Sequence, residues 1–207
     1  MDLIALYITF TFFFFWKNYT DSRTNRFIFL LLLLSVINEF LTLHLVRIEF
    51  PYALNTTVFI VIHNLIWLYI LYLNTNLKRL ISFCLLAYLI FSLCNLLFLE
   101  GLHAFNYNSF ILGAFMYMAL FIYESLLQLK KENLAFFMSA KYILLAAPVL
   151  FFLGFSFVFG FKSHSLGDIV LFNNVSLYDF ISHFVNVIYY TLLNIYVYRE
   201  KKLKNAA

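Results

Sequence analysis

Twelve of the 14 lysine and arginine residues fall into four short segments at the ends of long apolar runs. If seven membrane-spanning helices separate these segments, all four lie on one face of the membrane, and only Arg47 and Lys162 lie on the other. Lysine and arginine accumulate on the cytoplasmic side of membrane proteins, so this pattern predicts how the whole chain crosses the bilayer. The four segments are Lys17 to Arg26, Lys78 and Arg79, Lys130 to Lys141, and Arg199 to Lys204.

The composition also indicates a membrane protein. Of the 207 residues, 64% are hydrophobic and only 12% are charged, whereas about 25% of the residues of a soluble domain are charged. Seven spans of about 20 residues use most of the chain and leave no room for a water-soluble domain. The basic residues lie at helix ends, where they suit anionic lipid headgroups, so we expect the lipid bilayer and no nucleic acid as a partner.

We therefore predict an all-α, polytopic membrane protein with one domain over residues 1–207 and a multi-pass location in a bacterial inner membrane. The N-terminus is expected outside and the C-terminus in the cytoplasm, because the first apolar run is followed by Lys17, Arg23 and Arg26 and is not preceded by basic residues. The predicted spans cover about 3–16, 27–46, 55–73, 80–98, 109–128, 142–161 and 178–198.

Several polar residues within the spans need partners, because a carboxylate at the centre of a bilayer costs at least about 2.5 to 3.5 kcal/mol. The carboxylates in question are Glu39 and Glu124. The last span also has a polar stripe, whose steps of three and four residues place its members on one helix face. The stripe consists of Asp179, His183, Asn186, Tyr190 and Asn194.

Depths estimated from the helix rise group these residues into two layers. An outer layer lies about 10 to 12 Å below the outer surface, and its members should line a cavity that opens outward; it contains Glu39, His63, Tyr117 and Asn186. An inner layer contains Glu124, Asn194 and either Tyr69 or Tyr72. With His183, the two layers supply the candidate ligand or proton sites, although interhelical hydrogen bonds worth about 0.6 to 2 kcal/mol each are an alternative explanation.

Motifs for metals and cofactors are weak, and we expect none. His44 lies about 140° around the helix from Glu39, so the two do not converge on a metal. Retinal is excluded in its usual Schiff-base mode because the last span has no lysine. The His-x-x-x-His motif of alkaline-ceramidase-like hydrolases is replaced here by Asp179 and His183, and the catalytic residues of any enzyme activity remain unknown.

The chain resembles a loose group of small seven-helix membrane proteins of Bacteroidota. The resemblance lies in the size, the Asn38-Glu39 pair, the aromatic stretch from Asn64 to Tyr72, and the stretch from Asn186 to Asn194 that leads into the basic tail. Some members of such groups resemble the membrane portions of sensor systems. The resemblance therefore implies a sensory or relay role through a protein partner.

Three functions are compatible with the sequence. The first is a membrane sensor or signalling relay, whose basic cytoplasmic face is too small to signal without a partner on that side. The second is a small-solute or proton-coupled transporter in which Glu39 and Glu124 relay protons. The third is a membrane-embedded hydrolase with acid or base chemistry at Glu39 and His63.

Overall fold

The computed structural model describes residues 3–160, 169–172 and 175–206, and this part of the chain is helical apart from one short β-hairpin. The elements are α1 (Leu3–Lys17), α2 (Arg23–Arg47), α3 (Ala53–Asn74), α4 (Lys78–Cys94), α5 (Tyr107–Lys130), α6 (Leu134–Met138), α7 (Ala140–Gly160), β1 (Val170–Phe172), β2 (Val175–Ser176) and α8 (Leu177–Ala206). Six of the described helices are long and apolar enough to cross a membrane. The protein is therefore an all-α, multi-pass membrane protein.

The helices start and end close to the predicted spans but are longer at several ends. Ser22 caps α2 by accepting a hydrogen bond from the backbone nitrogen of Asn25 at 3.1 Å, so this helix begins before its apolar run. A π-helical turn, Asn95–Leu99, extends α4. The first helix has only 15 residues, which is short for a crossing, so a seventh span is still a prediction. Lys162 and the last residue of the predicted sixth span lie outside the described residues.

Six helices form a closed ring in the order α1, α2, α3, α5, α7 and α8, and α4 packs outside against α3 and α5. Three hydrogen bonds bring the four basic segments together at one end of this bundle, which we call the basic end. Lys201 Nζ donates to Asn18 Oδ1 at 3.0 Å, Asn74 Nδ2 to Thr24 Oγ1 at 3.1 Å, and Arg199 Nη1 to the carbonyl of Met138 at 3.3 Å. The four basic segments of the sequence thus lie together on the surface at one end of the bundle.

Two glycines set close contacts between helices. A Cβ atom on Gly113 of α5 would lie 2.5 Å from Asn64 Nδ2 of α3 and 2.8 Å from the ring of Tyr88 of α4. Asn64 Nδ2 also donates to the Tyr88 hydroxyl at 2.9 Å, so α3, α4 and α5 meet at one point. On α7, a Cβ atom on Gly154 would lie 2.6 Å from Val185 of α8. Small residues allow this close helix packing in membranes.

Candidate functional site

A cavity of about 530 Å³ lies inside the helix ring, toward the end of the bundle opposite the basic end. Its rim includes Tyr52, Tyr178 and Asp179, which are exposed. The volume is within the usual range for small-molecule sites. Polar side chains from α2, α3 and α8 line it, namely Ser35, Asn38, Glu39, Thr56, His63, Asp179, Ser182, His183 and Asn186.

Four of the sequence-predicted residues share this cavity. Glu39 reaches it from α2, His63 from α3, and His183 and Asn186 from α8. Glu39 is half-buried, whereas His63 is only 4% exposed and lies deep in the cavity. An acid and an imidazole that depth matching assigns to one layer thus line the same cavity.

His63 is surrounded by aromatic rings. Its ring centroid lies 5.5 Å from that of Phe59, 5.4 Å from that of Phe151 and 5.9 Å from that of Phe152. The Nε2 atom lies 3.4 Å from the hydroxyl oxygen of Tyr189 on α8. This buried imidazole is therefore held mainly by ring contacts.

Four fully buried aromatic residues close the bundle directly below the cavity, and we call them the aromatic floor: Trp67, Tyr117, Phe152 and Tyr189. The centroid distances are 6.0 Å from Trp67 to Tyr117, 5.9 Å from Trp67 to Tyr189 and 5.3 Å from Tyr117 to Phe152. Trp67 Nε1 also donates to the Tyr189 hydroxyl at 3.1 Å. In this structure the cavity ends at the floor.

Tyr117 corrects the sequence prediction, because it belongs to the floor and not to the residues that line the cavity. Its hydroxyl donates to the carbonyl oxygen of Leu145 at 2.8 Å. Leu145 lies in the turn of α7 that precedes Pro148, and proline disrupts backbone hydrogen bonding in that turn. Neighbouring side chains commonly satisfy backbone groups near prolines in membrane helices. The Tyr117 hydroxyl is therefore a structural group.

The polar stripe of α8 is fixed at its first turn. Ser176 Oγ accepts from the backbone nitrogen of Asp179 at 3.0 Å and donates to the Asp179 carboxylate at 2.7 Å, which forms a helix cap. His183 Nδ1 lies 2.7 Å from the Asp179 carbonyl oxygen. Because a carbonyl only accepts hydrogen bonds, Nδ1 holds a proton in this contact. Asn186 donates to the Ser182 carbonyl at 2.8 Å and lines the cavity one turn further in.

The residues of the predicted inner layer bond to different neighbours. Glu124, only 3% exposed, accepts from Gln128 Nε2 one turn along α5 at 2.7 Å. Asn194 Nδ2 donates to Thr11 Oγ1 of α1 at 3.1 Å. Tyr69 and Tyr72 stack on each other with their centroids 5.6 Å apart. These residues support the helix packing at separate places.

The part of the chain that the structure describes has no group of three or more His, Cys, Asp and Glu side chains placed to hold a metal ion. Of the aromatic floor, the sequence predicts only Tyr117 as a site residue, because polarity within a span is the signal that identifies such residues. Trp67 was recognisable from its position one helical turn after His63, which places both on one face of α3. Tyr189 and Phe152 have no comparable pattern in the sequence.

Comparison with known proteins gives no relative: the chain matches no protein-family model, no curated protein and no solved structure. The function is therefore inferred from the cavity and from its connection to the basic end. Both are properties of the described helices.

Proposed function

We propose that the protein is a membrane sensor that binds a small ligand in the cavity and relays its presence to a protein partner at the basic end. The observation that supports this most directly is the course of α8. This helix lines the cavity with Asp179, His183, Asn186 and Tyr190 and then continues without interruption into the basic tail. Its 30 residues span about 45 Å, so one rigid element connects the cavity with the opposite end of the bundle.

The aromatic floor favours a sensor over a transporter. Below His63, the centre of the bundle is filled by side chains that are 0% exposed, including Trp67, Tyr117 and Tyr189. A carrier needs a path from the binding site to each side of the membrane in turn. A sensor needs only one entrance and a helix that responds to the ligand.

The proposal places the cavity mouth outside the cell and the basic end in the cytoplasm of a bacterium. The clustering of basic residues supports this orientation through the positive-inside rule. The tail of α8 contacts the α1–α2 connection through Lys201 and Asn18, and the segment before α7 through Arg199 and Met138. A partner that docks on this surface would be sensitive to small movements of α8.

Thiol labelling decides between a sensor and a carrier. The native cysteines, Cys84 and Cys94, are first replaced by serine, and Asn186→Cys is introduced at the cavity wall. We expect a cationic, membrane-impermeant methanethiosulfonate to modify this thiol in intact cells but not in inside-out vesicles. The matched control is Val187→Cys, whose side chain is 42% exposed on the lipid side of α8 and should react from neither face. Reaction of Asn186→Cys from both faces would indicate a carrier.

The relay is tested by filling the cavity. Ile60 lines the cavity, whereas Ile62 on the same helix is 37% exposed on the outer surface of the bundle. Spin labels on Lys131→Cys and Lys202→Cys, both exposed at the basic end, report the distance between α5 and the tail of α8. We expect Ile60→Trp to shift this distance distribution and Ile62→Trp to leave it unchanged. Identical distributions in both variants would contradict a relay.

A further inference from the structure

The walls of the cavity have an unusual charge inventory. Among the lining residues in the described part of the chain, only Glu39 and Asp179 have side chains that are acids, and none is a lysine or arginine. Most basic residues lie at the far end of the bundle, and Arg47 is exposed near the mouth but does not line the cavity. The field inside the cavity therefore favours positive charge, and the low dielectric of the surrounding bundle strengthens it.

The same walls are rich in aromatic rings. Ten of the 22 lining residues are phenylalanine or tyrosine, about twice the 22% aromatic content of the whole chain. Near the mouth, the Phe159 ring packs against Phe105 and Tyr107 at 5.2 and 5.3 Å between centroids. Deeper in, Phe151 packs against Phe155 at 4.9 Å and against His63 at 5.4 Å. Ring faces attract cations, and groups of rings are the common site for quaternary ammonium ions.

These two features exclude most other ligand classes. An anion would be repelled by Glu39 and Asp179, and a neutral apolar molecule would leave their negative charge without compensation. A bare metal ion would use neither the rings nor the volume of about 530 Å³. An organic cation balances the negative charge of the carboxylates, and its carbon atoms pack against the rings.

We propose that the cavity binds an organic cation, a substituted ammonium group with an apolar or aromatic body, and that Glu39 is its counter-ion. Asp179 lies at the exposed rim and is engaged by Ser176, so it attracts the cation to the mouth, whereas Glu39 on α2 meets it inside. Phe151, Phe155 and Tyr190 then provide the rings around the charged group. This inference rests on the proposed function in one respect, namely that the cavity is a ligand-binding site.

The test is isothermal titration of the protein in nanodiscs with benzyltrimethylammonium, corrected by titration of empty nanodiscs. Phenylacetate, which has a similar ring but a negative charge, serves as the comparison ligand. We expect the cation to bind and phenylacetate not to bind. Equal binding of the two, or binding of phenylacetate alone, would overturn the inference.

Two matched pairs of variants locate the cation. Glu39→Gln removes the charge inside the cavity and should weaken benzyltrimethylammonium binding about tenfold or more. Glu49→Gln removes a charge at the same end of the bundle but outside the cavity lining, and should have no effect beyond twofold.

Phe151→Leu should weaken binding about two- to fivefold through loss of a ring face, whereas Phe157→Leu, at a residue 48% exposed on the outer surface, should not. If Glu39→Gln does not fold, the comparison of Phe151→Leu with Phe157→Leu tests whether the cation binds in the cavity.

The results separate this inference from the proposed function. If the cation fails to bind while Asn186→Cys still reacts from one face and Ile60→Trp still shifts the tail, the ligand class is wrong and the sensor remains. If the cation binds with the expected dependence on Glu39 while Asn186→Cys reacts from both faces, the ligand class is right and the protein is a carrier.

Discussion

The indole nitrogen of Trp67 lies 3.1 Å from the hydroxyl oxygen of Tyr189, and this contact joins α3 to α8 directly beneath the cavity. The same hydroxyl oxygen lies 3.4 Å from His63 Nε2, so Tyr189 contacts both side chains of α3. The buried imidazole of the cavity and the aromatic floor are thus connected through the Tyr189 hydroxyl. A ligand that moves His63 would be expected to displace α8 through Tyr189.

We expect Trp67→Phe to lower the thermal midpoint of the protein in detergent, measured by the loss of the monodisperse peak in size-exclusion chromatography. The substitution removes an interhelical hydrogen bond and leaves a void, which together should cost roughly 1 to 3 kcal/mol. Trp16→Phe is the matched control, because Trp16 is the only other tryptophan and is 59% exposed. Equal midpoints for the two variants would show that the floor does not stabilise the bundle.

Glu39→Leu and Glu124→Leu should behave differently, although both replace a carboxylate within a span. Glu124 is buried and accepts from Gln128, so its loss leaves an amide without its partner and should reduce the amount of folded protein in the membrane. Glu39 is half-buried on the cavity wall, so its loss should leave abundance nearly unchanged and impair ligand response. The measurement is the yield of monodisperse protein per cell. A collapse with Glu39→Leu would assign Glu39 to helix packing.

Gly113→Ala should destabilise the bundle more than any other glycine-to-alanine change tested in the described helices. The new methyl group would lie 2.5 Å from Asn64 Nδ2, and neither α3 nor α4 can withdraw without breaking the Asn64–Tyr88 hydrogen bond. Overpacking of this kind costs about 1 to 3 kcal/mol. Gly160→Ala is the control, since no atom of the described residues lies within 4 Å of the position that its added methyl group would take. Similar thermal midpoints for the two variants would refute the close packing.

The topology is tested by reporter fusions. A green fluorescent protein fused after Ala207 should fluoresce, and alkaline phosphatase fused at the same place should be inactive, because the basic end is expected in the cytoplasm. A phosphatase fused before Met1 should be active outside. An active phosphatase after Ala207 would reverse the orientation and with it the side from which a ligand reaches the cavity.

Sequence patterns were sufficient to predict the helices, and Glu39, His63 and Asn186, which they assign to one layer, line the same cavity. The apolar runs have the length that a bilayer requires, and helical spacing placed the polar residues of α8 on one face. Depth alone failed for Tyr117, because two residues at the same depth can point in different directions around their helices. The Tyr117 side chain points to the carbonyl of Leu145, a contact that depends on the packing of α7 and is not visible in the sequence.

The hydrogen-bond partners of the inner-layer residues were not predictable for a related reason. Glu124 found a partner one turn away on its own helix, and Asn194 found one on α1, so neither had to meet the other. A buried polar group requires a hydrogen bond but does not specify which neighbour supplies it. Sequence spacing therefore predicts that a buried polar group forms a hydrogen bond, but it does not identify the partner.

The contacts at Gly113 and Gly154 divide the bundle into two blocks. One block is α3, α4 and α5, which meet at Gly113, and the other is α7 and α8, which meet at Gly154. Helices in contact at such short distances cannot slide past each other without steric clashes. The two blocks are joined at the floor by the Trp67–Tyr189 and Tyr117–Leu145 hydrogen bonds, so a change in cavity volume above the floor is expected to tilt α7 and α8 together. Because α8 continues into the basic tail, such a tilt would also move the tail at the opposite end of the bundle.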